Sequence, residues 1–382
     1  MFDPLLILVG PLPRPYGGIS VLLELLREEL IASRIRNRVI DVADRGPWPL
    51  VPRVIRRSIQ WIGFGTRYMM AAARHPSTVY LTIAQSRGGF LRDAAVVAYA
   101  AALRHRIVLH VNCGDYGGFW HSQPRWLQRA IRVMLLRART LIVPSERLLG
   151  MFDFEPRLRD RLVVVPNAAP SDDAIAEKEL GPDEVRLLFL SSFLPTKGYE
   201  EVIRTVGILR REHNIPATCR LVGTFVAPGA PEPDGQRRLV EQIIEDELLD
   251  GHVTIHPEAG REGKYDHLRE SHFLLLPTRW RGEAQPLAII EALATGCVPI
   301  APEYRAIPDL IVDGATGVIA GPDPSAIAEA IADLCDDPAR YAAIRRRAIA
   351  HHRDHFSADA HLRSMLDVLV PAVATVACCA TR

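Results

Sequence analysis

Short apolar runs rich in β-branched residues recur along the chain, separated by longer stretches with helical periodicity. Eleven of them predict strands, at 5–9, 79–83, 107–111, 140–143, 162–165, 186–190, 219–222, 253–256, 273–276, 298–301 and 317–320. Strands separated by helices form parallel sheets covered on both faces. Eleven strands are too many for one doubly wound sheet. The natural cut is 167–182 (NAAPSDDAIAEKELGP), which is polar and Pro-bearing. The expected fold is therefore α/β, with two Rossmann-like doubly wound parallel-sheet domains, about 1–168 and about 182–355. A ligand would lie in the cleft they face, outside the carboxyl ends of the strands.

Charge divides at the same place. Residues 1–170 hold 24 Arg, no Lys and 12 acidic residues, whereas the rest hold 22 basic and 33 acidic ones. A basic first half suggests an anionic partner such as lipid headgroups or phosphates. Arginine as the default base, 43 Arg to 3 Lys, explains the choice of base but not its uneven placement. A stretch at 51–74 sets Arg53, Arg56, Arg57 and Arg67 beside Trp61, Phe64 and Tyr68. It suits either an anionic membrane surface or an ordinary helix with an Arg-rich outer face. The Pro/Gly run at 228–235 (PGAPEPDG) reads as a surface loop.

A hydrophobic content of 48% with net charge +1 excludes global disorder. Six cysteines at 113, 219, 297, 335, 378 and 379 include no C-x-x-C pair, so neither a disulfide framework nor a metal site is expected. No signal peptide and no apolar run of about 20 residues is evident. The expected location is cytoplasmic, with peripheral attachment to the inner face of a membrane as an option.

Three segments carry chemistry. In 281–302 (RGEAQPLAIIEALATGCVPIAP), Pro286 suits a helix start, and Leu287, Ile290, Glu291 and Ala294 would share one helix side. Glu283 falls in the loop before that helix, where unpaired backbone N–H groups favour anions and polar ligands. Glu291, embedded among small apolar residues, is poorly placed for solvent. In 188–206 (LFLSSFLPTKGYEEVIRTV), a strand ends in a loop whose Lys197 and Gly198 open a helix. An ammonium and helix N–H groups converging there suit a diphosphate. In 107–120 (IVLHVNCGDYGGFW), a buried strand ends at His110, and Asn112, Asp115 and Tyr116 follow in a Gly-rich loop. Arg87, Arg92 and Asp93 open a neighbouring segment that would help shape an acceptor pocket.

The 281–302 block resembles the family 4 glycosyltransferases of the GT-B fold, whose block reads E-G-F-G-x-x-x-x-E-A-x-A-x-G-x-P-V-I-A. Glu283, Ala284, Gln285, Pro286, Glu291, Ala292, Ala294, Gly296 and Pro299 stand in register with it. The resemblance extends through 308–322, 273–280 and 163–170, and Gly17 and Gly18 resemble the family's first glycine loop. Ser191 and Ser192 stand where the family's G-R-L-x-x-x-K-G run has Gly and Arg, while Lys197 and Gly198 remain.

The resemblance implies a retaining transferase that moves a sugar from a nucleotide-diphosphate donor to an acceptor; the basic first half fits a lipid-linked acceptor or a polysaccharide or glycolipid precursor, with a soluble acceptor as the alternative. The first domain would bind the acceptor and the second the donor, and a last helix at about 357–370 would pack back on the first. Glu283, Lys197 and His110 are the expected catalytic set. Donor binding would use Gly17, Gly18, Ser192, Lys197, Gly198, Glu283, Ala284, Gln285, Pro286, Leu287 and Glu291. Acceptor binding would use Arg87, Asn112, Asp115 and Tyr116. Arg14 or Arg279 would supply the phosphate charge missing at Ser192.

No cofactor or metal is expected, because the sequence has no D-x-D. G-x-G-x-x-G is also absent, and no nucleic-acid module is present. His351, His352 and His355 read as an exposed polar helix face. The alternatives are a non-catalytic GT-B binding subunit, or another GT-B enzyme such as a phosphorylase or sugar-nucleotide epimerase.

Overall fold

A computed structural model describes residues 5–13, 17–43, 65, 68, 77–172, 175, 178–225, 233–257 and 260–370. Arg14, Cys378, Cys379, most of 51–74 and most of 228–235 lie outside them. The chain divides into two compact units, Met1–Pro166 with Asp359–Arg382, and Asn167–Ala358.

The first unit carries a six-stranded parallel sheet: β1 (Leu5–Gly10), β2 (Asn37–Asp41), β3 (Ser77–Thr82), β4 (Arg106–His110), β5 (Thr140–Val143) and β6 (Leu162–Val164), in the order β2-β1-β3-β4-β5-β6. The second has β7 (Val185–Leu190), β8 (Ala217–Gly223), β9 (Val253–Pro257), β10 (Phe273–Leu275), β11 (Val298–Ala301) and β12 (Val318–Ile319), in the order β12-β11-β10-β7-β8-β9. Every pairing in both sheets is parallel. The eleven expected strands are all present, and β2 is the addition. It is an edge strand of sequence NRVID with only Ile40 buried, so its apolar signal is too weak to read.

Strand order locates the ligand ends of the sheets. From β7 the chain winds outward through β8 and β9, then returns to lay β10 against the other side of β7. The loops leaving β7 and β10 therefore diverge, and a crevice opens at their carboxyl ends. In the first sheet the equivalent reversal lies between β1 and β3. Side chains crowd Gly10 there: a Cβ on it would come within 2.7 Å of the Thr82 hydroxyl and 2.8 Å of Leu23.

The stretch expected as a connection at 167–182 is packed on the second unit. Asp172 accepts two hydrogen bonds from the Arg269 guanidinium, at 2.9 and 2.8 Å. Lys178 is buried and donates to the carbonyls of Leu268 and Ser271 at 2.7 and 2.9 Å. Burial pushes its ammonium down to about 8. His352 corrects the expected exposed histidine face. It is buried, with Nε2 3.0 Å from the Ala169 carbonyl, so the helix Pro338–His355 is tied to this same stretch.

The last helix, Ala358–Leu369, contributes to the first unit. His361 Nδ1 donates to the Pro166 carbonyl at 2.6 Å, and Arg106 reaches the Leu369 carbonyl at 3.4 Å. Of the 51–74 stretch, Tyr68 is described: it is buried, donates to the Val96 carbonyl at 3.2 Å and meets the Tyr99 ring edge-on. No helix among the described residues is long and apolar enough to cross a membrane.

Candidate active site

After β7, the Ser191–Ser192 loop is fixed against the end of β8. Ser191 N–H donates to Val222 at 3.1 Å, Phe193 N–H donates to Thr224 at 2.9 Å, and the Phe193 and Phe225 rings stack. A side chain on Gly223 would collide with the Ser191 carbonyl. One tight turn, Pro195–Lys197, follows, then Gly198 at φ +86° and the helix Tyr199–Arg211. Gly198 is required twice over. L side chains avoid that φ, and a Cβ would sit 2.6 Å from the Pro277 ring.

After β10, the loop through Trp280 and Gly282 brings Glu283 to the same place. Glu283 N–H donates to the Trp280 carbonyl at 3.0 Å. Its carboxylate accepts from Lys197 Nζ at 2.5 Å and from the Thr278 hydroxyl at 3.2 Å. Lys197 also lies over the Trp280 ring, 4.3 Å from its centre. Both ends of the pair are buried, with side chains 9% and 7% exposed, so neither charge has bulk water as its main partner. Arg279 donates its N–H to the Thr196 carbonyl at 2.7 Å, and its guanidinium pairs with Glu201 in the first turn of Tyr199–Arg211.

The helix Leu287–Thr295 begins after Pro286 and ends at Gly296, at φ +67°. Among the described residues no side chain caps its first turn, nor that of Tyr199–Arg211. Ala284, Gln285, Leu287 and Glu291 are buried. Glu291 pairs with Lys264, from the helix Arg261–Glu270. The Gln285 side chain accepts from the Asn167 N–H at 2.6 Å, while the Gln285 carbonyl accepts from the Asn167 amide at 2.9 Å.

The first unit holds the other expected residues. Gly17 precedes the helix Gly18–Ala32, and the Ser20 hydroxyl takes its N–H at 3.0 Å. His110 ends β4, 1% exposed, with Nδ1 2.6 Å from the Tyr80 hydroxyl. Burial, with the charge of His361 as a lesser cause, lowers its imidazole to about 3, so it stays neutral. Asp115 caps the short helix Tyr116–His121 by accepting from Gly118 N–H at 3.2 Å. Tyr116 is fully buried, and burial raises its phenol. Neither its hydroxyl nor Asn112 Oδ1 has a hydrogen-bond partner among the described residues. Arg87 donates to Gln123 at 2.9 Å. Arg92 and Asp93 pair with each other. The structure thus gathers Lys197, Gly198, Glu283 and Thr278 into one cluster, places Gln285 and Glu291 along the following helix start, and keeps His110, Asn112, Asp115 and Tyr116 together around the end of β4.

Residues 171–351 match the family described as "Glycosyl transferases group 1". The D-inositol 3-phosphate glycosyltransferase of Streptomyces avermitilis is 30% identical over 211 residues, 53% of this chain and 44% of that protein. The GDP-mannose-dependent alpha-(1-6)-phosphatidylinositol monomannoside mannosyltransferase of Mycolicibacterium smegmatis is 31% identical over 186 residues, 46% of each chain. The matched region spans less than half the length of either relative. Over nearly the whole chain, the fold superposes on the sucrose-phosphate synthase of Thermosynechococcus elongatus, with TM-score 0.71, 18% identity, and coverage of 96% of this chain and 98% of that one. The chain has the GT-B fold, and residues 171–351 resemble the group 1 glycosyltransferases.

One departure from the family pattern acquires a structural meaning. Gln285, standing where the family has Phe, spends its side-chain oxygen on the Asn167 backbone and so fastens the loop carrying Glu283 to the start of the second unit. Ser192 turns its carbonyl to the Leu194 N–H at 2.8 Å. Lys264 joins the glutamates only through the fold, while Thr278 and Trp280 lie in the 273–280 run without having been assigned a role there. Lysine's rarity was the one available signal for Lys264, because a chain that otherwise uses Arg keeps Lys only at 178, 197 and 264.

Proposed function

We propose that the chain transfers a glycosyl group from a nucleotide-diphosphate sugar to an acceptor, with retention at the anomeric carbon. One observation carries this reading: Lys197 and Glu283 meet, buried, on the loops leaving β7 and β10, the two strands that flank the reversal of the second sheet. That is where doubly wound sheets receive ligands.

The donor diphosphate would take the Lys197 ammonium together with the uncapped N–H groups of the following helix. Negative charge grows on the leaving nucleoside diphosphate in the transition state, and fixed donors aimed at it lower the barrier. An ammonium has three protons, so Lys197 can keep Glu283 oriented while it donates to a phosphate oxygen. Glu283 would accept from the sugar hydroxyls. Glu291 would accept from the ribose hydroxyls with one oxygen while Lys264 holds the other. Lys197 and the helix N–H groups would stabilise the leaving diphosphate without a metal. The first unit, with His110 at the end of β4, would receive the acceptor. Both curated relatives are named for inositol acceptors bearing phosphate. The excess of arginine in residues 1–170 fits an anionic acceptor of that class, free or lipid-linked at a membrane surface.

The test is a thermal-shift panel of UDP, GDP, ADP, TDP and CMP, with and without magnesium. A ligand at 100 times its Kd adds about 2.7 kcal/mol of stability. One diphosphate should shift the transition equally with and without metal, and Lys197→Ala should abolish that shift. Donor hydrolysis should then follow with the matching sugar nucleotide and be lost in Glu283→Gln. A folded protein that responds to none of the five would replace this reading with that of a non-catalytic GT-B binding subunit.

A further inference from the structure

Tyr80 and His110 lie on neighbouring strands, with Tyr80 opposite Val108 and His110 opposite Thr82. The alternation of a strand puts Tyr80 and His110 on the same face of the sheet, as diagonal neighbours. Their rings meet edge-on, with centres 5.8 Å apart, and the phenol oxygen is 2.6 Å from Nδ1. Both side chains are buried, at 3% and 1% exposure. Among the described residues, His110 Nε2 is buried with no hydrogen-bond partner.

One proton lies between the phenol oxygen and Nδ1, and two arrangements are open. If Nδ1–H donated to the phenol oxygen, the phenol proton and a bare Nε2 would both be left buried without partners. If the phenol donates to Nδ1, Nε2 carries the imidazole proton and only that N–H is left. Each buried polar group without a partner is costly, so the second arrangement is favoured. Burial also raises the Tyr80 phenol far above its ordinary value, keeping its proton in place.

We propose that Tyr80 is a positioning residue that locks His110 as the Nε2–H tautomer and holds that N–H as a donor for an oxygen of the bound substrate, a sugar hydroxyl or a phosphate. His110 then works as a neutral hydrogen-bond donor and not as a proton-transfer base. The substrate part rests on the transferase reading above; the tautomer does not. His361, on the last helix, is the other imidazole whose charge bears on His110. Its Nδ1–H is committed to Pro166, so it does not compete for the Tyr80 hydroxyl.

The experiment uses the full chain labelled with 15N at histidine, with the His110 resonances assigned by their loss in His110→Gln. In the wild type, Nε2 should be protonated and Nδ1 bare but hydrogen-bonded. In Tyr80→Phe, which keeps the ring against His110, the Nδ1 resonance should move to the position of an imine nitrogen without a donor. A protonated Nδ1 in the wild type, or an Nδ1 resonance indifferent to Tyr80→Phe, overturns the lock. The wild-type spectrum alone decides this if the variant fails to fold. Donor hydrolysis supplies the second readout. Tyr80→Phe should lower kcat about tenfold, the size of one hydrogen bond, with donor KM unchanged. An unchanged kcat overturns the positioning role even where the lock holds. If the wild type hydrolyses no sugar nucleotide, the transferase reading has failed, and the spectra still judge the tautomer.

Discussion

The Lys197 ammonium and the Glu283 carboxylate lie 2.5 Å apart although 86 residues separate them in the chain. Three strands, β8, β9 and β10, intervene with their loops and helices, so the pair exists only because the sheet reverses direction between β7 and β10.

Removing one end of this pair leaves the other buried and unpaired. Lys197→Met and Glu283→Gln are each expected to destabilise the second unit, by about 3–5 kcal/mol if the vacated site stays dry. The double variant should recover much of that loss while remaining inactive. A double-mutant cycle by denaturant unfolding checks the coupling, and additive losses would mean that the two charges do not depend on each other.

Gln285→Ala should leave the Asn167 N–H buried without its acceptor, at a cost of about 1–3 kcal/mol. The loop carrying Glu283 would loosen, so transfer should fall further than stability alone accounts for. Comparing kcat at a temperature where both proteins are fully folded separates the two effects. Equal kcat would assign Gln285 a purely structural part.

Gly198→Ala forces an L side chain into the left-handed region, at about 1–2 kcal/mol, and drives its methyl into Pro277. Relief requires the Pro195–Lys197 turn to move. Nucleoside diphosphate affinity should therefore drop sharply in a protein that still folds, as titration calorimetry would show. Unchanged affinity would place the diphosphate elsewhere.

Four buried histidines make the protein acid-sensitive. Burial lowers His110 to about 3 and, with the Arg186 guanidinium nearby, His272 to about 4. Burial lowers His352 and His361 as well. All are depressed, so the unfolded chain binds protons first as pH falls. The stability they confer is present above about pH 6.5 and declines below it; His110 and His272 each contribute a fall of about 1.4 kcal/mol per pH unit until the pH reaches their lowered values. The unfolding midpoint should fall steeply between pH 6.5 and 4. A flat profile across that window would show that these imidazoles are charged in the folded state.

The strands and the loops carrying Lys197 and Glu283 were legible because each is local: an apolar run, a Lys-Gly step, a glutamate among alanines. β2 was hidden by its polar edge position. His352 was misread because the helical pattern around it, RRRAIAHHRDH, is mostly polar and gives no hint that Ala169 offers a carbonyl inside. The stretch at 167–182 has the composition of a linker, yet Asp172, Lys178 and Asn167 each find a partner about 90 to 120 residues away. Lys264 and Tyr80 belong to the same class, with roles set by neighbours that only the completed sheets supply.

The three lysines now have an experimental use. Every lysine side chain lies in the second unit and is held by an internal partner, Lys178 on two carbonyls, Lys197 on Glu283 and Lys264 on Glu291. An acylating reagent at neutral pH therefore meets a surface with almost no competing amines, since 43 of the 46 cationic side chains are guanidinium groups that it does not modify. Mass spectrometry after brief acylation would report directly on Lys197 and Lys264, and occupancy of the proposed donor site becomes a change in mass at two positions against a nearly silent background.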